Sequence, residues 1–206
     1  MQKQEKTRKV VLGVAVIVVA VVALVAGFVW LRYQASQTIA SSTQTPATCK
    51  SVKQVGKGEF VLPIVDRNGP TGKYLDLSDY RCKVVVLEFM GPWCTPWCVD
   101  LVPAMETLYK QYADKGVVFI AVAEPWNPHY QNVGITEFLA KYPSNLTYVD
   151  DSKGTIESVY NVTSLPTLFV ISKSGTIYGT YVGSGWASSL SVAKDIDKAL
   201  SEPEPP

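Results

Sequence analysis

The run Val84–Phe89, apolar except at Glu88, passes through Met90-Gly91-Pro92 into Trp93-Cys94-Thr95-Pro96-Trp97-Cys98. No other stretch restricts the possible folds so tightly. An apolar run of this length, closed by Gly and Pro, predicts a buried strand that ends in a tight turn. The pattern beyond it predicts a helix from Val99 to about Tyr112. Two cysteines therefore fall where a helix begins, among free backbone N–H groups and at the positive end of the helix dipole. Both favour thiolate over thiol, and the thiolate is the nucleophile of disulfide exchange. On that logic Cys94, at the turn, is the expected attacking thiol. Cys98, further inside the helix, is the expected resolving thiol.

The N-terminal part of the chain has a different character. Residues 1–9 form a basic tail, and Val10–Leu31 follows without a single charge. At ~1.5 Å per residue that run extends about 33 Å, enough to cross the hydrocarbon core of a bilayer. A basic flank stays in the cytoplasm, which predicts that everything after Arg32 lies outside. A cleaved signal peptide is the alternative, although its apolar segment usually covers only ~7–15 residues. Residues 32–54 are read as a tether, since Gln34–Thr48 is rich in Ser, Thr, Gln and Ala and cannot bury a core.

Residues 55–200 carry the domain. Strands are predicted at Phe60–Val65, Tyr74–Leu77, Val84–Phe89, Val117–Ala123, Leu146–Val149, Thr167–Ser172 and Thr176–Val182. Besides the helix after the cysteines, helices are predicted at Ile135–Tyr142, Gly154–Tyr160 and Trp186–Leu200. Strands alternating with helices, then a terminal hairpin and helix, fit an α/β/α sandwich around a mixed central sheet. Residues 201–206 are expected to be a disordered tail.

A net charge of +1 leaves no basic surplus for phosphates, which argues against nucleic acid as a partner. The four cysteines, Cys49, Cys82, Cys94 and Cys98, and the single histidine, His129, do not cluster as a tetrahedral zinc site would. An even cysteine count fits disulfides in an exported chain, with three connectivities open. Asn145-Leu146-Thr147 and Asn161-Val162-Thr163 are glycosylation sequons. Asp100 is expected as an exposed first-turn residue that complements the helix dipole. Cys49 and Cys82 flank the start of the domain, and a bridge between them would staple the entering chain to the sheet. A second redox relay or an intermolecular bridge are the alternatives.

The ordered set Gly56…Phe60-Val61-Leu62-Pro63, Leu77-Ser78-Asp79-Tyr80-Arg81, Val84–Phe89, Trp93-Cys94, Cys98 with Pro103, and Ser164-Leu165-Pro166-Thr167 resembles the TlpA/ResA-like group of membrane-anchored thioredoxin-fold thiol–disulfide oxidoreductases. One feature departs from that pattern, because three residues rather than two separate Cys94 from Cys98. Residues four apart share a helix face, but their Cα separation lies near the upper limit for a disulfide, so closure favours Cys94 at a non-helical cap position. Pro96 suits the first turn of the helix.

The resemblance implies that Pro166 is cis and lies against the cysteines, leaving Leu165 to meet an extended substrate. It implies that Glu88, six residues before Cys94, takes the place of the buried aspartate of thioredoxin and moves protons for the resolving cysteine. An outward-facing Glu88 is the competing expectation. Cys82 occupies a position where relatives usually carry glycine. Trp93 and Trp97 are expected as aromatic walls that grip apolar partner surfaces or pack inward.

The function expected from all this is a membrane-tethered, extracytoplasmic thiol–disulfide oxidoreductase. It acts on protein thiols and disulfides, exchanges electrons with a membrane donor or acceptor, and needs no cofactor or metal. The alternative is a Sco-like Cu(I) metallochaperone, since soft thiolates select Cu(I). Those proteins place a histidine close to where Pro166 stands. A peroxiredoxin is a third option, but its Pro-x-x-x-Thr-x-x-Cys signature is absent, with Gly91 three residues before Cys94.

Overall fold

The computed structural model describes residues 49–124, 134–188 and 190–205. The apolar run Val10–Leu31 and His129 lie outside the described residues. Among the described residues no helix is long and apolar enough to cross a membrane.

Seven strands form one mixed sheet in the order β2-β1-β5-β4-β3-β6-β7. They are β1 (Val61–Asp66), β2 (Gly69–Asp76), β3 (Val85–Met90), β4 (Val118–Ala123), β5 (Thr147–Asp150), β6 (Thr167–Ile171) and β7 (Ile177–Val182). β3 runs parallel to β4 and antiparallel to β6, and every one of its six residues is buried. A strand covered on both faces needs a nearly continuous apolar sequence, which Val84–Phe89 supplies. The helices are α1 (Trp97–Tyr112), α2 (Ile135–Lys141), α3 (Thr155–Tyr160) and α4 (Ser191–Leu200).

Alternation along β3 divides the core in two. Val86 and Met90 face a cluster built from Leu101 and Met105 of α1, Phe138 and Leu139 of α2, and Val192 and Ile196 of α4. Val85, Leu87 and Phe89 face the other side, where Tyr160 of α3, Val55, Phe60 and Leu77 cover the sheet. This is the expected α/β/α arrangement, and it follows from the period-2 geometry of the strand.

The structure departs from the sequence reading at four places. β2 begins at Gly69, five residues before the predicted strand, because Arg67-Asn68 alone makes the hairpin turn and Asp66 pairs with Gly69. The predicted helix Trp186–Leu200 is broken into a 3₁₀ turn, Gly185–Ser188, and α4. Serine competes for backbone groups and weakens helix interiors, and this stretch is serine-rich. α1 begins two residues early, at Trp97, with Pro96 at the N-cap rather than in the first turn. The acidic tail is also tied down. Tyr178 donates to Glu202, the Glu202 carbonyl accepts from Lys173 at 3.0 Å, and Lys173 pairs with Glu204 at 3.0 Å. These partners lie on and beside β7, distant in sequence, so composition alone points to disorder.

Candidate active site

The site grows from the end of β3. Past Met90 the chain crosses Gly91, where an added Cβ would lie 2.7 Å from the Trp93 indole, so only glycine lets the ring fold back on the turn. The Cys94 N–H donates to the Gly91 carbonyl at 2.9 Å, and the Cys98 N–H to the Cys94 carbonyl at 2.7 Å. A helical turn thus spans the two cysteines although Cys94 precedes the N-cap. That lets the four-residue spacing close: Cys94 and Cys98 form a disulfide with Cα atoms 5.3 Å apart. The peptides before Pro96 and Pro166 are both cis.

Cys94 is only 3% exposed and Cys98 1%. The turn does not expose Cys94: both cysteines belong to the core cluster, and Trp93 packs against it. Trp97 is half-exposed beside them, Trp93 and Leu165 are partly buried against the core, and Asp100 is exposed. Thr167 pairs with Phe89, so the antiparallel register sets Pro166 level with Met90, beside the turn that carries the cysteines. The Pro166 carbonyl accepts from the Gly183 N–H at 2.8 Å.

Glu88 is 4% exposed and lies opposite Ala121 of β4 and Leu168 of β6. Both neighbours belong to the core cluster that contains Cys94 and Cys98. Glu88 therefore points to the cysteine face of the sheet, and burial pushes its carboxyl up to about 8.

A second buried carboxyl, Glu124, escaped the sequence reading. It is 5% exposed, and its two oxygens have no hydrogen-bond donor against them. Burial first, then the facing Glu157, then Asp151, hold it far above the usual carboxylate range. The available signal was its position directly after the buried run Val118–Ala123.

Cys49 and Cys82 are joined away from this site, with Cα atoms 5.7 Å apart, and form a small cluster with Val52. Cys82 has φ +61°, the left-handed region that favours glycine.

A mixed sheet, a disulfide at the start of the helix after its central strand, and a cis proline alongside define the thioredoxin-fold redox class. The AhpC/TSA family matches residues 58–180. A thiol–disulfide oxidoreductase ResA of Bacillus thuringiensis is 35% identical over 106 residues, covering 52% of this chain and 58% of the relative. The chain thus matches less than two thirds of that relative's length. The ResA of Bacillus anthracis is 31% identical over 134 residues, covering 65% of this chain and 73% of the relative. Among solved structures, a Chlorobium tepidum protein described as thiol:disulfide interchange protein DsbE superposes with a TM-score of 0.61 at 28% identity, covering 72% of this chain and 97% of that one. This chain belongs to the AhpC/TSA family of thioredoxin-fold proteins, where its relatives include ResA thiol–disulfide oxidoreductases.

Proposed function

We propose that the chain is a membrane-tethered thiol–disulfide oxidoreductase whose domain works outside the cytoplasm on cysteines of other proteins. The observation that carries this reading is the Cys94–Cys98 pair at the start of α1, with Glu88 beneath it on the same face and Pro166 alongside. In the oxidised form Glu88, titrating at about 8, holds its proton about ten to one at pH 7. An incoming thiolate attacks the Cys94 sulfur, the S–S bond breaks, and Cys98 leaves as a thiolate that takes the Glu88 proton. A second donor thiolate then releases Cys94 and leaves with the donor's disulfide. Two electrons enter the pair. In the other half-cycle Cys94 thiolate attacks a substrate disulfide and expels one substrate thiolate. Glu88 carboxylate takes the Cys98 proton, and Cys98 displaces the second.

Trp97, half-exposed, offers an apolar contact beside the disulfide, and Leu165 lies where an extended peptide would approach. Membrane tethering rests on the uncharged run Val10–Leu31 and its basic flank. Trapping tests the chemistry: Cys98→Ala should accumulate mixed disulfides with partner proteins, whereas Cys94→Ala should accumulate none and lose disulfide reduction. Trapping by the Cys94 variant alone would reverse the assignment. For the location, a membrane-impermeant maleimide should label the reduced pair in intact cells; labelling only after lysis would overturn it.

A further inference from the structure

The chain carries two Asn-x-Thr triplets, and the fold treats them differently. In Asn145-Leu146-Thr147 the asparagine is held. Its Nδ2 donates to Glu106 Oε2 of α1 at 2.7 Å, and its backbone N–H donates to Glu106 Oε1 at 2.6 Å. The Ser144 hydroxyl donates to the same Oε1 at 2.8 Å. Thr147 is the first residue of β5 and pairs with Ile120 of β4. The amide nitrogen of this triplet is thus engaged by a carboxylate on α1, and its threonine is built into the sheet.

Asn161-Val162-Thr163 has the opposite arrangement. Asn161 follows α3 with φ +53° and ψ +45°, in the left-handed region. Its N–H donates to the Ser158 carbonyl at 3.2 Å, and the Val162 N–H donates to the Glu157 carbonyl at 3.0 Å. Those two bonds close the helix as a Schellman motif, whose left-handed residue is usually glycine and sometimes asparagine. Val162 is buried in the cluster that holds Phe89 and Tyr160, which pins the turn. Asn161 and Thr163, on either side of it, are both exposed. Among the described residues neither side chain has a hydrogen-bond partner. The backbone accounts for a residue that tolerates positive φ at position 161, where glycine would serve better. It does not call for an exposed, unengaged threonine two residues later.

We propose that Asn161 is the acceptor of an N-linked oligosaccharide and that Asn145 is not. The inference rests on the reading that the domain works outside the cytoplasm, where an Asn-x-Thr triplet on the surface can serve as an acceptor. The co-reactant is an oligosaccharide carried on a lipid phosphate, brought by a transferase. The Asn161 amide nitrogen bonds to the anomeric carbon of the sugar, and the bond from that carbon to the phosphate oxygen breaks. The lipid phosphate leaves, and the amide gives up one proton. Nothing is oxidised or reduced. The folded chain offers Asn161 on a fixed turn, with the threonine beside it open to the transferase.

The test is mass spectrometry of the full chain isolated from the membranes of the cells that make it. Cleavage after Lys141, Lys153 and Lys173 puts the two asparagines on different peptides. The peptide with Asn161 should carry added mass that fragments by successive sugar losses, and the peptide with Asn145 should carry none. Thr163→Val leaves Asn161 and its helix cap in place and removes the hydroxyl; it should abolish the modified peptide. Thr163→Ser should keep it, and so should Asn145→Gln. Unmodified Asn161 in the wild-type chain would overturn the inference, as would a glycan that survives Thr163→Val. A glycan on the Asn145 peptide would overturn the choice between the two. Maleimide labelling of the reduced cysteines in the same intact cells separates the two readings. Labelling together with a bare Asn161 sinks the glycan alone, whereas labelling only after lysis sinks the location and the glycan with it.

Discussion

Glu88→Gln should free the fold from a penalty that grows with pH. A glutamate in the unfolded chain titrates near 4.5, and the buried one at about 8. As pH rises through that interval the unfolded chain has already released this proton while the native chain still holds it. Stability conferred by the protonated native form is complete below the lower value and is lost as pH approaches the upper one. Each pH unit within the interval is worth about 1.4 kcal/mol, so from pH 5 to pH 8 the wild-type chain loses about 3–4 kcal/mol that the glutamine variant keeps. Urea unfolding of the two oxidised chains at pH 5, 6, 7 and 8 measures the difference. Any contact that glutamine cannot reproduce adds a constant offset, and Glu124 titrates in both chains, so the slope of the difference isolates Glu88. A difference independent of pH would refute the reasoning, because it would mean that position 88 carries no buried proton.

Three further outcomes follow from the geometry. Breaking the Cys49–Cys82 bridge with Cys49→Ala opens a loop spanning 33 residues in sequence and should cost about 3–4 kcal/mol in urea unfolding. In that background Cys82→Gly should be about 1 kcal/mol more stable than Cys82→Ala, because only glycine holds the left-handed backbone without penalty; equal stabilities would contradict the assigned conformation. Pro166→Ala should slow exchange with a peptide disulfide by about tenfold while leaving Cu(I) affinity, measured by chelator competition, unchanged. Exchange at the wild-type rate, with transfer of Cu(I) to an acceptor, would instead favour copper delivery.

Elements held by local pattern were legible in the sequence. β3 and α1 follow from the apolar run and the spacing after it, and even the glycine-like demand at position 82 has a physical counterpart in its positive φ. Features that depend on partners remote in the chain were not legible. Glu202 belongs to an acidic tail by composition, yet it binds Tyr178 and Lys173 across the terminal hairpin. Tyr148 occupies an ordinary strand position, and its place in one row with Glu88 depends on the order β5-β4-β3 and on the register that pairs both with Ala121. Neither condition is visible in any window of sequence. The burial of Cys94 was not legible for a related reason. A turn is usually open to water, but here Trp93 folds back over Gly91 and the core closes around both sulfurs.

Burial alone does not single out Glu88. Glu124 is as deeply buried, and its carboxyl is also held protonated at neutral pH. The two differ in the side of the sheet they face. Glu124 follows Ala123 by one residue and Val122 by two, and Val122 belongs to the cluster on the α3 side. Strand alternation thus directs Glu124 toward Glu157 and Asp151, away from the cysteines. Glu88 shares its face with Cys94, Cys98 and Tyr148. The Glu124 carboxyl meets Glu157 of α3 and Asp151, whereas Glu88 faces the cluster that holds the cysteines. The proton on Glu88 lies on the face of the sheet whose core cluster contains the disulfide. Strand register therefore sets the two carboxyls on opposite faces of the sheet, although burial treats them alike.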